Sequence, residues 1–153
     1  MTLKPQDLVG AWTFADWTIA SDDGRISRPF QPNPSGVIVY SADGIMSATI
    51  QAGNRHRFSS DNIRKQPVAE KAAAFDGCFH YAGTWSIYGQ SVIHAVSMAV
   101  NPNMVGTEQV RRVALDGDVL VLSAEELLED GRGTRHHALT WRRHRSPLGR
   151  PIP

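Results

Sequence analysis

The sequence predicts an all-β domain, an eight-stranded antiparallel up-and-down β-barrel with one short α-helix. Runs of apolar and aromatic residues of strand length recur along the chain, and short turn signals rich in glycine and aspartate separate most of them. The chain has 153 residues, the size of one domain. An antiparallel sheet of eight strands removes its exposed edges by closing on itself, and the closed barrel leaves room for one small ligand.

Each of the eight predicted strands is a run of apolar or alternating residues bounded by turn residues. In chain order they cover residues 12–19, 37–42, 45–51, 78–88, 91–100, 106–115, 119–124 and 134–144. Residues 28–36 are too rich in proline for a regular element and are predicted to form a loop. Asp43-Gly44 lies between two apolar runs and favours a two-residue hairpin turn, because both turn positions require a positive φ.

One segment, residues 67–76, is predicted to be a helix. Pro67 suits the first turn, the alanines that follow favour the helix interior, and Gly77 ends it. The barrel domain is expected to span residues 1–145, and residues 146–153 are expected to form a flexible C-terminal tail.

Composition and charge argue against several classes of protein. The net charge is +1, so no overall field favours nucleic acid or a membrane surface, and neither is expected as a partner. No stretch approaches the roughly 18 apolar residues of a membrane span. The first residues show no apolar segment typical of secretion, so we expect a cytoplasmic protein.

Neither a disulfide nor a metal is expected. Cys78 is the single cysteine, so it has no internal partner. The histidines show no metal-ligand spacing, and the adjacent His136 and His137 face opposite sides of a strand. We therefore expect no metal and no cofactor.

The turn at Gly89-Gln90 predicts which residues face the barrel interior. With a two-residue turn, Trp85 pairs with His94 and Tyr81 pairs with Met98. A six-residue loop then carries the same face into the next strand, pairing Met98 with Gln109. Six side chains are predicted to line the cavity together: Tyr81, Trp85, His94, Met98, Gln109 and Arg111.

For the first hairpin, the sequence does not decide which face points into the barrel. The more apolar face consists of Val37, Val39, Met46, Ala48 and Ile50. Tyr40 lies on the other face and is also a candidate ligand-binding residue.

His94 and Arg111 have the chemistry of a catalytic pair. An inward histidine can act as a general base and an arginine can stabilise an oxyanion, which enolisation and cyclisation need. Two alternatives apply to the same residues. They can recognise oxygen atoms of a ligand whose apolar body contacts Tyr81, Trp85 and Met98, or they can belong to a buried polar network that only fixes the interior.

Several motifs resemble one family. Gly10-x-Trp12 opens the first strand as in lipocalins, where the Trp closes one end of the barrel and an Arg of the last strand packs over it; Arg142 or Arg143 corresponds to that Arg. The other motifs are Pro32-Asn33-Pro34-Ser35-Gly36, Ala74-Phe75-Asp76-Gly77, Tyr81-x-Gly83-Thr84-Trp85 and Asn103-x-Val105-Gly106-Thr107-x-Gln109-x-Arg111. Over almost the whole chain, the sequence resembles the bacterial and fungal lipocalin-like domain family. The resemblance implies a calycin-type barrel. Some members lie in biosynthetic clusters, where such folds can act as cofactor-free cyclases or isomerases.

The predicted function is binding of a small, largely apolar molecule in the barrel cavity. The alternative is a cofactor-free isomerase, cyclase or lyase that acts on a polyketide- or terpenoid-like metabolite through His94 and Arg111. A haem-binding barrel is a third hypothesis, for which no accessible histidine stands out. The sequence is also compatible with a homodimer.

Overall fold

The computed structural model describes residues 2–145, and the elements below are those of this part of the chain. The strands are β1 (Gly10–Ser21), β2 (Ile26–Ser27), β3 (Ser35–Tyr40), β4 (Ile45–Gln51), β5 (Cys78–Tyr88), β6 (Ser91–Ala99), β7 (Glu108–Asp116), β8 (Val119–Leu127) and β9 (Thr134–Arg143). The α-helices are α1 (Pro5–Leu8) and α2 (Val68–Asp76), and two short 3-10 helices cover Ile63–Lys65 and Pro102–Met104. The predicted tail, residues 146–153, lies outside the described residues.

Eight of these strands form a closed antiparallel barrel, as predicted. From β3 to β9 each strand pairs with the next one along the chain, and β1 pairs with both β3 and β9. The two-residue strand β2 adds to the end of β1, where Ile19 pairs with Ser27. The predicted helix is confirmed as α2. Within residues 2–145, neither α-helix has the length and hydropathy needed to cross a membrane.

The turn between β3 and β4 has three residues, 42–44, rather than two. The Ser41 N–H donates to the Ile45 carbonyl oxygen, which closes the loop. Gly44 ends it with a φ of 95°, the left-handed conformation that three-residue hairpin loops place at this position.

This extra turn residue decides the inward face of the first hairpin. Tyr40 pairs with Met46, so Tyr40 and its neighbour Ile38 point into the barrel and are completely buried. Val37 and Val39 lie on the outer face, and each is 38% exposed. The prediction that Val37 and Val39 share a face with Met46 is therefore wrong, because adding one residue to a loop exchanges the faces of a strand.

A β-bulge changes the predicted register of β6. Trp85 pairs with His94 as predicted, but the register shifts beyond them, and Met98 lies opposite Ala82 instead of Tyr81. The extra residue turns Met98 to the outer face, where it is 60% exposed. The predicted inward position of Met98 is wrong.

The connection from β6 to β7 is longer than predicted, yet it preserves the inward face. Gln109 pairs with His94 instead of Met98, a difference of four positions along β6. Because side chains alternate with a period of two, a shift of four leaves Gln109 and Arg111 pointing inward.

A second bulge, in β1, brings Trp17 to the same side as Trp12. Phe14 pairs with Trp141 and Asp16 pairs with Thr140, so one residue between Phe14 and Asp16 has no partner on β9. Strict alternation would place Trp12 and Trp17 on opposite faces of the strand. The extra residue of the bulge reverses the alternation, so both side chains point into the barrel.

One end of the barrel is sealed around Trp12. This side chain is completely buried, and its Nε1 donates to the Leu8 carbonyl oxygen of α1 at 2.9 Å. The Arg143 Cζ lies 4.1 Å from the centre of the Trp12 ring, and its guanidinium donates to the carbonyl oxygens of Val9 and Asp7. Arg143, rather than Arg142, is therefore the arginine expected from the family resemblance. With this end filled, the interior is reached from the opposite end.

Candidate functional site

The barrel encloses a cavity of about 420 Å³. Most of its wall consists of apolar and aromatic side chains: Trp17, Ile38, Ala48, Ile50, Phe79, Tyr81, Met104, Leu122, Leu139 and Trp141. The volume lies within the roughly 300–1,000 Å³ typical of small-molecule sites, which are also mostly apolar.

Aromatic rings gather at the open end of this cavity. The ring centre of Trp17 lies 5.8 Å from that of Phe30 and 5.9 Å from that of Phe79. Phe30 belongs to the proline-rich loop before β3, so this loop packs against Trp17 of the cavity wall.

A hydrogen-bonded chain of Trp17, His137 and Glu126 borders the mouth. The Trp17 Nε1 donates to the His137 Nδ1 at 3.2 Å, and the His137 Nε2 lies 2.9 Å from a Glu126 carboxylate oxygen. An indole N–H only donates, so the Nδ1 of His137 must be the acceptor. The His137 proton is therefore on Nε2, where it is donated to Glu126, and the ring is held in one tautomer.

His94 forms the centre of a second, deeper chain. Its ring is completely buried; the Nε2 lies 2.8 Å from the Tyr40 hydroxyl and the Nδ1 lies 2.7 Å from the Tyr81 hydroxyl. Tyr81 contributes to the cavity wall, whereas His94 and Tyr40 do not. Both nitrogens of the imidazole are thus occupied by tyrosines, and Tyr81 stands between the imidazole and the cavity.

This deeper chain carries no charge at neutral pH. Burial, and to a smaller extent the positive charge of Arg111, lowers the pKa of His94 to about 3. Burial also raises the pKa of the Tyr40 and Tyr81 hydroxyls above that of an ordinary tyrosine. The imidazole is therefore neutral and both hydroxyls keep their protons.

Arg111 brings a positive charge to the cavity wall. The side chain is half-buried; its Nη2 donates to the Gln109 Oε1 at 3.2 Å and its Nη1 donates to the Val110 carbonyl oxygen at 3.0 Å. None of the ion pairs found within residues 2–145 includes Arg111. The guanidinium thus has neutral partners and is available to an anionic group in the cavity.

Comparison with known protein families decides the assignment of the fold. The family model for the lipocalin-like domain matches residues 9–144. The chain belongs to the lipocalin-like domain family. No curated protein matches it. The membership agrees with the closed barrel and the Trp12–Arg143 pair.

The lipocalin-like barrel brings three of the predicted site residues together on the cavity wall: Tyr81, Gln109 and Arg111. His94 and Tyr40 are joined to this group through the hydrogen bonds of Tyr81. The predicted direct contact of His94 with a ligand has no geometric support, because the ring does not reach the cavity.

The other two predicted residues lie away from the wall. Trp85 is buried beside Tyr40, with ring centres 5.0 Å apart, and its Nε1 donates to the Ser41 carbonyl oxygen. Met98 lies on the outer face of β6, as described above. Trp85 therefore supports Tyr40, and Met98 takes no part in the cavity of this lipocalin-like domain.

Sequence reasoning missed two tryptophans of the wall. Trp17 reaches the cavity through the bulge in β1, for which we find no sequence signal. Trp141 is only 1% exposed and packs edge-on against Phe14, with ring centres 5.6 Å apart. Pairing β1 with β9 to close the barrel would have indicated Trp141. Its partner on β1 is Phe14, which lies before the bulge and therefore shares the inward face of Trp12.

Proposed function

We propose that this lipocalin-like domain binds one small, largely apolar molecule inside its barrel. The observation that carries the proposal is the cavity of about 420 Å³ with a mostly apolar wall and one sealed end. Removing apolar surface from water favours binding by about 25 cal/mol for each Å². A wall of this kind therefore supplies the affinity, and the few polar groups on it set the orientation of the ligand.

The surroundings of His94 do not favour the alternative function, a cofactor-free isomerase, cyclase or lyase. It requires His94 to take a proton from the substrate, and a general base must come within hydrogen-bonding distance of that proton. Both ring nitrogens of His94 are already bonded to Tyr40 and Tyr81. The cytoplasmic location and the homodimer stay predictions of the sequence.

The proposal can be tested with N-phenyl-1-naphthylamine, a neutral apolar probe whose fluorescence rises in an apolar site. We expect saturable enhancement by the unmodified protein. Ala48 lies on the cavity wall and is 3% exposed, so Ala48→Phe fills part of the cavity and should abolish the enhancement. Val37→Phe adds the same ring on the outer face of the neighbouring strand and serves as the matched control.

Saturable binding that survives Ala48→Phe would place the probe elsewhere and contradict the proposal. Loss of binding in both variants would show a general effect of the added ring, and would equally count against the cavity. Thermal denaturation of both variants checks that each one is folded.

A further inference from the structure

The direction of the hydrogen bonds around His94 follows from what each tyrosine can reach. A neutral imidazole has one N–H, so one tyrosine donates to the ring and the other accepts from it. The tyrosine that accepts must send its own O–H proton to a further acceptor. Within residues 2–145 the Tyr40 hydroxyl, completely buried, has His94 as its only hydrogen-bond partner, whereas Tyr81 borders the cavity.

Tyr40 is therefore the donor and Tyr81 is the acceptor. The opposite arrangement would leave the Tyr40 hydroxyl proton unsatisfied in the protein interior, at a cost of about 1–3 kcal/mol. In the favoured arrangement Tyr40 donates to the Nε2 of His94, and the Nδ1–H of His94 donates to the Tyr81 oxygen. The Tyr81 O–H is then free to donate to a group in the cavity.

Trp141 supplies a further hydrogen-bond donor on the cavity wall, and this donor has no partner. The Trp141 Nε1 is buried, and it is the one buried side-chain nitrogen or oxygen among the described residues without a hydrogen bond. Such a donor in a native interior calls for an acceptor, and the cavity that Trp141 lines is where one can bind.

Two acceptors of the wall, Gln109 and Glu126, already take part in hydrogen bonds with other side chains. The Gln109 Oε1 accepts from Arg111. Glu125 and Glu126 also line the cavity, on its exposed side, where their carboxylates lie 3.5 Å from His136 and 2.9 Å from His137, respectively. On its buried side the wall thus offers the donors of Tyr81 and Trp141 and the positive charge of Arg111.

From this arrangement we infer that the ligand is a small apolar carboxylate, bound through its two oxygens by the Arg111 guanidinium and the Tyr81 hydroxyl. The inference rests on the proposed function and names its ligand class. A carboxylate only accepts hydrogen bonds, and its charge complements a guanidinium that has neutral partners. The Trp141 N–H then takes a further acceptor atom on the body of the ligand.

Acid and amide pairs of the same shape test this inference. Calorimetric titrations use 2-naphthoate against 2-naphthamide, and decanoate against decanamide, so that a rigid and a flexible body are both sampled. We expect each acid to bind about tenfold or more tightly than its amide, since hydrogen bonds to a charged acceptor are the stronger ones.

Substitutions then test whether Arg111 and Tyr81 cause the preference for the acid over the amide. Arg111→Met and Tyr81→Phe should each weaken acid binding about tenfold and change amide binding little. Arg111→Lys should restore part of the loss, because it keeps the charge. Arg112→Met is the matched control, since Arg112 is the next residue on β7 and is exposed on the outer face; it should alter neither affinity. Thermal denaturation identifies any variant that fails to fold.

The outcomes separate the inference from the proposed function. Equal affinity for acid and amide, or acid binding that is unchanged in both Arg111→Met and Tyr81→Phe, overturns the carboxylate and leaves the binding cavity standing. Binding of N-phenyl-1-naphthylamine without binding of either acid has the same meaning. Failure of all five compounds to bind refutes the proposed function itself.

Discussion

The buried, neutral His94 predicts a loss of stability in mild acid. In the unfolded chain the imidazole takes up a proton near its ordinary pKa of 6.5, whereas in the folded protein its pKa is about 3. Between these values the unfolded state binds more protons, so the free energy of unfolding falls as the pH falls. Each pH unit below 6.5 costs about 1.4 kcal/mol, which amounts to about 2 kcal/mol at pH 5 from this group alone. About one pH unit above 6.5 and higher, the contribution of His94 no longer changes.

Urea denaturation followed by circular dichroism at pH 7.5 and pH 5 measures this loss. The control is His94→Gln, because glutamine does not titrate and still offers a donor and an acceptor to the two tyrosines. All other histidines and carboxylates are present in both proteins, so their effects cancel in the comparison. We expect the unmodified protein to lose about 2 kcal/mol more than the variant. Equal losses in the two proteins would mean that His94 is protonated in the folded state, and the uncharged hydrogen-bond chain would be refuted.

Two further predictions concern the sealed end and the direction of the deeper chain. Trp12→Ala should lower the free energy of unfolding by about 3–5 kcal/mol, the range for deleting a large buried aromatic, and the Tm by roughly 10–15 °C. Circular dichroism in urea measures the change in the free energy of unfolding. A loss below about 1 kcal/mol would contradict the sealing role of Trp12. Long-range ¹H–¹⁵N NMR spectra at pH 6 should show His94 with its proton on Nδ1. A proton on Nε2 would mean that Tyr81 donates to the ring and offers no donor to the cavity.

The barrel itself could be predicted from sequence because its signals are local and repeated. Each strand carries its own pattern and each turn its own residues, so an error in one element does not affect the next. The pairing of Trp85 with His94 was predictable for the same reason, since the two-residue turn at Gly89-Gln90 lies only a few residues away.

The cavity wall was harder to predict because the face of a strand depends on the count of residues. One extra residue in the turn at 42–44 brings Tyr40 inside, and one extra residue in β6 sends Met98 outside. The bulge in β1 acts in the same way on Trp17. These strands carry large apolar residues on both faces, so hydrophobic alternation could not reveal the insertions. Arg111 keeps its predicted face because the register error in the loop before β7 is four residues, an even number.

Within residues 2–145, Trp12 and Arg143 fill one end of the barrel, so the cavity opens toward the other end. A ligand bound as proposed would enter and leave at that open end. The loop bearing Phe30 packs against Trp17 of the cavity wall, whereas the proposed ligand contacts, Arg111 and Tyr81, lie elsewhere on that wall. For a ligand bound as proposed, substitutions at the open end should change the rate of exchange, whereas substitutions of Arg111 or Tyr81 should change the affinity, so that one property can change while the other is conserved.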